Sequence, residues 1–355
     1  MSDGTPSRRR RLTKTHKRLL GAAGSIAVVV AVFVLVLPQF ANYREVLDVL
    51  RTLTWKEWAV LVGAVLLNLA TFPPPWMAAL PGLGFRQALV MTQASTALSI
   101  VSPAGAAVGM AASYSMLRSW RFSPDAVGLA VAIAGIWNQL VNLAFPVIAL
   151  ALLTAADQSH PALRTAALVG LAALIVAVTS FALVLSREAW AQSIGDRAAR
   201  VANRALRIVR RGPVEWGGGS FIRFRGQALG LLRRRWHVIT ITTLAGHLTV
   251  FVLLLVCLRV TGITTDEVTV TEAFAAWALV RILGALPLTP AGVGLVEVGL
   301  TGALVAFGAP SAEAVAATLL YRALTVLPTL ALGLLSAATW RTHHPGESVG
   351  SPSDP

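Results

Sequence analysis

Cysteine is almost missing from this sequence. Cys257 stands alone among 355 residues, so neither an internal disulfide nor a cysteine-built metal site is available. Charge is scarce too: 13% of residues are charged, and 16 acidic ones face 30 basic ones. No metal-ligand spacing, nucleophile elbow, phosphate loop or dinucleotide fingerprint occurs in a credible context. No cofactor, no metal and no catalytic residue are therefore expected. Strict apolar–polar alternation is also lacking, which argues against a closed β-barrel.

What fills the chain instead is apolar sequence, 55% of the residues. Several Leu-, Ala- and Val-rich runs approach or exceed the roughly 20 residues that cross a bilayer as a helix. The expected fold class is all-α, a polytopic helical membrane protein. Spans are expected at Leu19–Pro38, about Ala59–Leu80, Asp125–Leu153, Leu163–Leu185, Val238–Val260 and Ala312–Trp340. The first run is longer than a signal-peptide core and lacks a small-residue cleavage site, so it reads as a retained span. Between the first two, Ala41–Trp58 is amphipathic and suits the outer interface, with Trp55 and Trp58 as anchors. The second span carries Phe72-Pro-Pro-Pro-Trp76, which predicts a kink or an unwound end.

The net charge of +14 is concentrated at Arg8–Arg18 and between Arg187 and Arg235. These clusters flank apolar runs, which suits topology by the positive-inside rule and contact with anionic headgroups rather than nucleic acid. They place both termini in the cytoplasm of a plasma (inner) membrane protein. The organisation expected is a basic segment 1–18, a membrane domain 19–340 with a basic cytoplasmic loop 186–237, and a disordered tail 341–355. In that loop Arg197, Arg200, Arg204, Arg207 and Arg211 recur at helical spacing beside Ile194, Ala198, Val201, Ala205 and Ile208. That pattern suits a helix lying on an anionic surface. The glycines of Gly212–Ser220 read as a flexible turn.

Two stretches echo each other. Ser102-Pro-Ala-Gly105 and Thr289-Pro-Ala-Gly292 each precede a small-residue apolar helix and a Ser/Pro-containing turn, with distances matching within one residue. Each sits between two apolar pieces, Ala88–Val101 with Ala104–Leu117, and Ala273–Leu286 with Gly292–Phe307. Pieces of about 14 residues reach only about 21 Å, short of the roughly 30 Å hydrocarbon core. Both pairs therefore read as re-entrant hairpins. Counting crossings makes the first open to the cytoplasm and the second outward, so the chain is expected to hold two inverted repeats. Broken helices meeting near the midplane are a common plan for transporters, and irregular backbone survives there only when buried or lining a wet cavity.

The candidate substrate-binding residues follow from this plan. Ser102, Pro103 and Gly105 form the first tip; Pro290, Gly292 and Gly294 form the second. Glycine there either leaves amides open to a ligand or permits close packing. Glu297, Arg281 and Arg322 fall at depths where a charge costs several kcal/mol unless paired or wet. Glu297 is expected to pair with Arg281 or Arg322, either as a structural ion pair that fixes the helices or in an arrangement that leaves an arginine for a phosphate group. Asn138, with Gln139 and Asn142, either lines a cavity or joins helices by hydrogen bonds. His247 reads first as a hydrogen-bonded core histidine, with a proton carrier as the alternative.

At Leu286–Glu297 the sequence resembles the flippase-like family named for the transmembrane region of lysylphosphatidylglycerol synthases. Pro287, Pro290, Gly292, Gly294 and Glu297 match its late Pro- and Gly-rich break followed by Gly-x-x-Glu, and Arg322 matches a downstream arginine. The resemblance spans roughly residues 20–340. Ala291 stands where a second glycine is common, and the first break lacks the charge usual after its proline and glycine. The resemblance implies an integral membrane protein, with lipid translocation inferred for members fused to a synthase, and the synthase activity of the family name is not carried over. The function expected is therefore a non-enzymatic flippase or transporter for a phosphate-bearing lipid or lipid-linked headgroup. Anionic phospholipid or polyprenyl phosphate is the expected partner. A scaffold for a protein partner in envelope biosynthesis is the alternative, and an intramembrane lipid-phosphate enzyme is a third reading.

Overall fold

The computed structural model describes residues 43–102, 105–155, 161–208, 217–285, 292 and 294–339. Twelve helices and no strands occur among them. They are α1 (Tyr43–Arg51), α2 (Trp55–Thr71), α3 (Pro73–Ala79), α4 (Phe85–Val101), α5 (Gly105–Ser119) and α6 (Pro124–Ala155). There follow α7 (Pro161–Ser186), α8 (Glu188–Ile208), α9 (Gly218–Val260), α10 (Val270–Ala285), α11 (Leu295–Phe307) and α12 (Ser311–Thr339). The expected first span, both termini and the tip prolines Pro103 and Pro290 lie outside the described residues.

Among the described residues, five stretches are long and apolar enough to cross a bilayer: α2 with α3, α6, Leu168–Ser186 of α7, α9, and Ser311–Ser336 of α12. The protein is a multi-pass helical membrane protein. Four shorter helices, α4, α5, α10 and α11, hold 17, 15, 16 and 13 residues. At 1.5 Å per residue these are roughly 20–26 Å long. They pack as two pairs, α4 on α5 and α10 on α11.

Local chemistry explains where the helices start and break. Thr54 and Glu57 form a capping box at α2, with the Thr54 amide 2.6 Å from the Glu57 carboxylate. Thr269 and Glu272 do the same before α10. Phe72 and the prolines after it separate α2 from α3, because proline lacks the N–H that would continue the ladder. At the other end of the chain's basic segment, the expected flexible turn is shorter than the glycines suggested. Gly218 and Gly219 already belong to α9, since the Asp196 carboxylate accepts the Gly218 amide at 2.8 Å. α8 also departs from a simple surface helix. It packs along α9, with Gly195 against the Phe221 ring, while Arg197, Arg200 and Arg204 stay exposed.

Close backbone approach joins the halves. α12 lies on α4, and a Cβ at Gly333 would sit 2.3 Å from the Cβ of Ala97. α5 meets α4 where a Cβ at Gly105 would sit 2.3 Å from the Ser99 carbonyl oxygen. Small residues at such crossings replace the hydrophobic driving force that lipid surroundings do not supply. α6 packs on α10 as α12 packs on α4, and α2 crosses α9. At that last crossing, the Asn68 amide donates to the Thr249 hydroxyl at 3.0 Å. The buried core has two main parts. One gathers α3, α4, α5 and the first half of α6; the other gathers α2, the second half of α6, and α9 to α12. The second part carries the site.

Candidate functional site

A cavity of about 480 Å³ opens between α6, α10, α11 and α12. That falls in the range of small-molecule sites, about 300–1,000 Å³. Its polar lining comes from Gln139 and Asn142 of α6, Arg281 of α10, and Tyr321 and Arg322 of α12. Arg281 and Arg322 each lie eleven residues beyond the first residue of their helix, about 17 Å along the axis.

The two arginines are held differently. Arg322 Nε donates to Glu297 Oε1 at 2.7 Å, and the Glu297 side chain is only 3% exposed. Glu297 Oε2 accepts the Gly294 amide at 2.6 Å. The carboxylate therefore neutralises a cation and occupies the positive start of α11 at once. Gly294 has φ 90° and Gly292 has φ 66°, backbone that side chains with a Cβ rarely adopt. These glycines turn the chain so that Glu297 can reach back to its own helix start.

Arg281 has no carboxylate partner among the described residues. Its Nε donates to Asn142 Oδ1 at 3.0 Å, and its Nη2 donates to the same oxygen and to His247 Nδ1, the latter at 2.8 Å. Its Cζ lies 4.7 Å from the centroid of the Trp277 ring, a cation–π contact. A guanidinium carries five N–H donors and accepts nothing. Three are thus taken by neutral groups, and the two on Nη1 meet no acceptor among the described residues.

Because arginine can only donate, His247 Nδ1 must be the unprotonated nitrogen. Its Nε2 then carries the hydrogen and donates to Asn138 Oδ1 at 3.1 Å. Asn138 donates in turn to Gln139 Oε1 at 3.2 Å. Asn138 and Gln139 are exposed near the middle of the 32-residue α6. A directional chain of donors therefore runs from Arg281 through His247 and Asn138 to Gln139 at that polar surface. Phe145 stands edge-on to His247, Trp277 and Phe274, with ring centroids 5.7, 5.1 and 5.9 Å apart. This aromatic wall limits the rotamers open to the imidazole and the indole.

The profile of the lysylphosphatidylglycerol synthase TM region matches residues 22–333. The chain belongs to this family. Comparison with curated proteins finds no match. Family membership agrees with the resemblance read at the Pro- and Gly-rich break. It covers the transmembrane region of those synthases.

Within this family member the residues expected from sequence divide. Arg281 and Arg322 meet at the cavity, with Glu297 and Gly294 tied to Arg322; Gly292 lies buried just before α11. Asn138 sits behind Arg281, one hydrogen bond beyond His247. Ser102 and Gly105 lie at the junction of α4 and α5 and contribute nothing to the cavity lining. Trp277 was not named from the sequence, and Asn142 and His247 were named there without their link to Arg281. Each was visible as a polar or aromatic residue in an apolar run, but no spacing rule connects three helices to one guanidinium.

Proposed function

We propose that the chain is a lipid transporter that receives a phosphate-bearing headgroup at Arg281. The observation that carries this is the state of that side chain. It is a cation in a membrane-embedded cavity, held by neutral acceptors, with two N–H donors unused among the described residues. Such a group is stabilised by an anion entering the cavity, and each Nη1 hydrogen can donate a charge-assisted bond to a phosphate oxygen. Both oxygens of Glu297 and both nitrogens of His247 are already engaged, which favours moving a headgroup over chemistry on it.

In this reading the two short helix pairs are re-entrant hairpins of an inverted repeat. The echoed Ser102–Gly105 and Thr289–Gly292 tetrapeptides support it. So does the reciprocal packing: the last helix of each half lies on the first helix of the other half's hairpin, α12 on α4 and α6 on α10. The arginines exposed on α8 mark the cytoplasmic side by the positive-inside rule. Both termini lie on that side.

Transport is tested in proteoliposomes by the accessibility of fluorescent phosphatidic acid, phosphatidylglycerol and polyprenyl phosphate to a membrane-impermeant quencher. Protein-dependent exchange of at least one of them, abolished in Arg281→Gln, is expected. Absence of exchange for all three refutes the proposal. Exchange that survives Arg281→Gln refutes the assignment of the site.

A further inference from the structure

The acceptors of Arg281 are not equivalent. Asn142 is a permanent neutral amide, whereas the His247 imidazole is a titratable acceptor. An amide would hold this edge of the guanidinium as well as Asn142 holds the other. Only a titratable acceptor adds a positive charge on demand.

Resting on the transporter reading, we infer that the cavity takes a terminal phosphate, a phosphomonoester dianion, together with one proton on His247. Phosphate oxygens that draw the Nη2 donor of Arg281 away release the Nδ1 lone pair of the ring. A proton from water binds that lone pair, and it leaves when the phosphate leaves; no other bond forms or breaks. Nε2 keeps its hydrogen and its bond to Asn138 throughout.

Charge counting selects the dianion. Arg322 and Glu297 cancel each other. The empty cavity therefore carries one positive charge, on Arg281, and the protonated ring adds a second. A dianion then leaves the occupied site neutral, and neutrality is strongly favoured where charges are removed from water. A monoanionic phosphodiester is neutralised by Arg281 alone and has no use for the ring. The groups around His247 fit this count. α6 presents Asn138 and the Phe145 edge, and α10 presents Arg281, among the described residues the single charged group hydrogen-bonded to the ring. α2 meets the adjoining turn of α9 through Asn68 and Thr71, both neutral. α12 contributes Tyr321 and Arg322 to the cavity wall, and α11 places Glu297 against Arg322. The aspartate facing α9 from α8 is Asp196, at Gly218, twenty-nine residues before His247 and about 44 Å along the helix.

The experiment is calorimetric binding to the full-length protein in detergent at pH 8, in two buffers of different ionisation enthalpy. The probes are short-chain phosphatidic acid, a monoester, and short-chain phosphatidylglycerol, a diester. Phosphatidic acid is expected to bind with uptake of about one proton, as one histidine requires. Phosphatidylglycerol is expected to bind at least about tenfold more weakly, a difference of about 1.4 kcal/mol, and without uptake. His247→Gln keeps both hydrogen bonds of the ring but cannot titrate; it should bind the two probes alike with no proton taken up. Binding of phosphatidic acid to the wild-type protein without uptake overturns the inference, and so does equal affinity for the two probes. Uptake that persists in His247→Gln places the proton on the phosphate and overturns it as well. Failure of the wild-type protein to bind either probe, or unchanged binding in Arg281→Gln, overturns the reading of the site itself.

Discussion

Replacing Glu297 by methionine removes the carboxylate that pairs with Arg322 and caps Gly294. The two charges are in direct contact at 2.7 Å, with side chains 3% and 16% exposed. With charge centres about 4 Å apart and an effective dielectric near 20, their attraction is about 4 kcal/mol. Arginine does not lose its proton, so the variant keeps a largely buried cation deprived of its carboxylate. A destabilisation of about 3–5 kcal/mol is expected. Arg322→Met should be milder, about 1–3 kcal/mol, because the stranded carboxyl can escape its charge by taking a proton. The double variant has neither charge and should be more stable than Glu297→Met alone, with a coupling of at least about 2 kcal/mol. Glu297→Gln retains an acceptor for the Gly294 amide and should fall between wild type and Glu297→Met. The assay is reversible unfolding in mixed detergent micelles, followed by tryptophan fluorescence. A Glu297→Met cost below about 1 kcal/mol, or additive single variants, would falsify the buried-pair argument.

Four further outcomes follow from the same geometry. Asn142→Leu strands the donors of Arg281 that now meet the amide oxygen; about 1–3 kcal/mol of stability should be lost in the same unfolding assay, and headgroup exchange should fall. Gly333→Ala forces a Cβ into Ala97 and the Gln93 carbonyl, at 2.3 and 2.7 Å, and should cost about 1–3 kcal/mol. Gly230→Ala meets nothing within 4 Å in α9 and should be neutral or stabilising by up to about 1 kcal/mol; equal effects of these two alanines contradict the packing described. Gly294→Ala, at φ 90°, should lose about 1–3 kcal/mol through backbone strain, detectable as a lower unfolding midpoint. Ser102→Cys and Thr289→Cys, in a background where the buried Cys257 is Ser, test the hairpins. If both are re-entrant, each thiol should be shielded from bulky impermeant reagents on both sides, and rapid labelling from opposite aqueous faces rejects that topology.

The apolar runs and their basic flanks determined the class of this protein from the sequence alone. Crossing a bilayer is a local demand, met by about 20 consecutive residues and their ends, so the spans among the described residues were legible to within a few residues, the start of α9 excepted. The helix starts were less so. Asp196 reaches across to cap Gly218 and lengthens α9 to 43 residues, and nothing next to Gly218 in the chain announces that bond. Glu297 and Arg322 were legible as a pair of opposite charges at similar depth, but their partnership over Glu297 and Arg281 was not. α11 and α12 bring the first pair to 2.7 Å, while α6 and α9 surround Arg281 with Asn142 and His247. Those contacts join residues 34 and 139 positions apart. Periodicity reports which face of a helix is apolar; only the packing of several helices decides which polar side chains share an interior, and hence which arginine is neutralised and which still offers its charge.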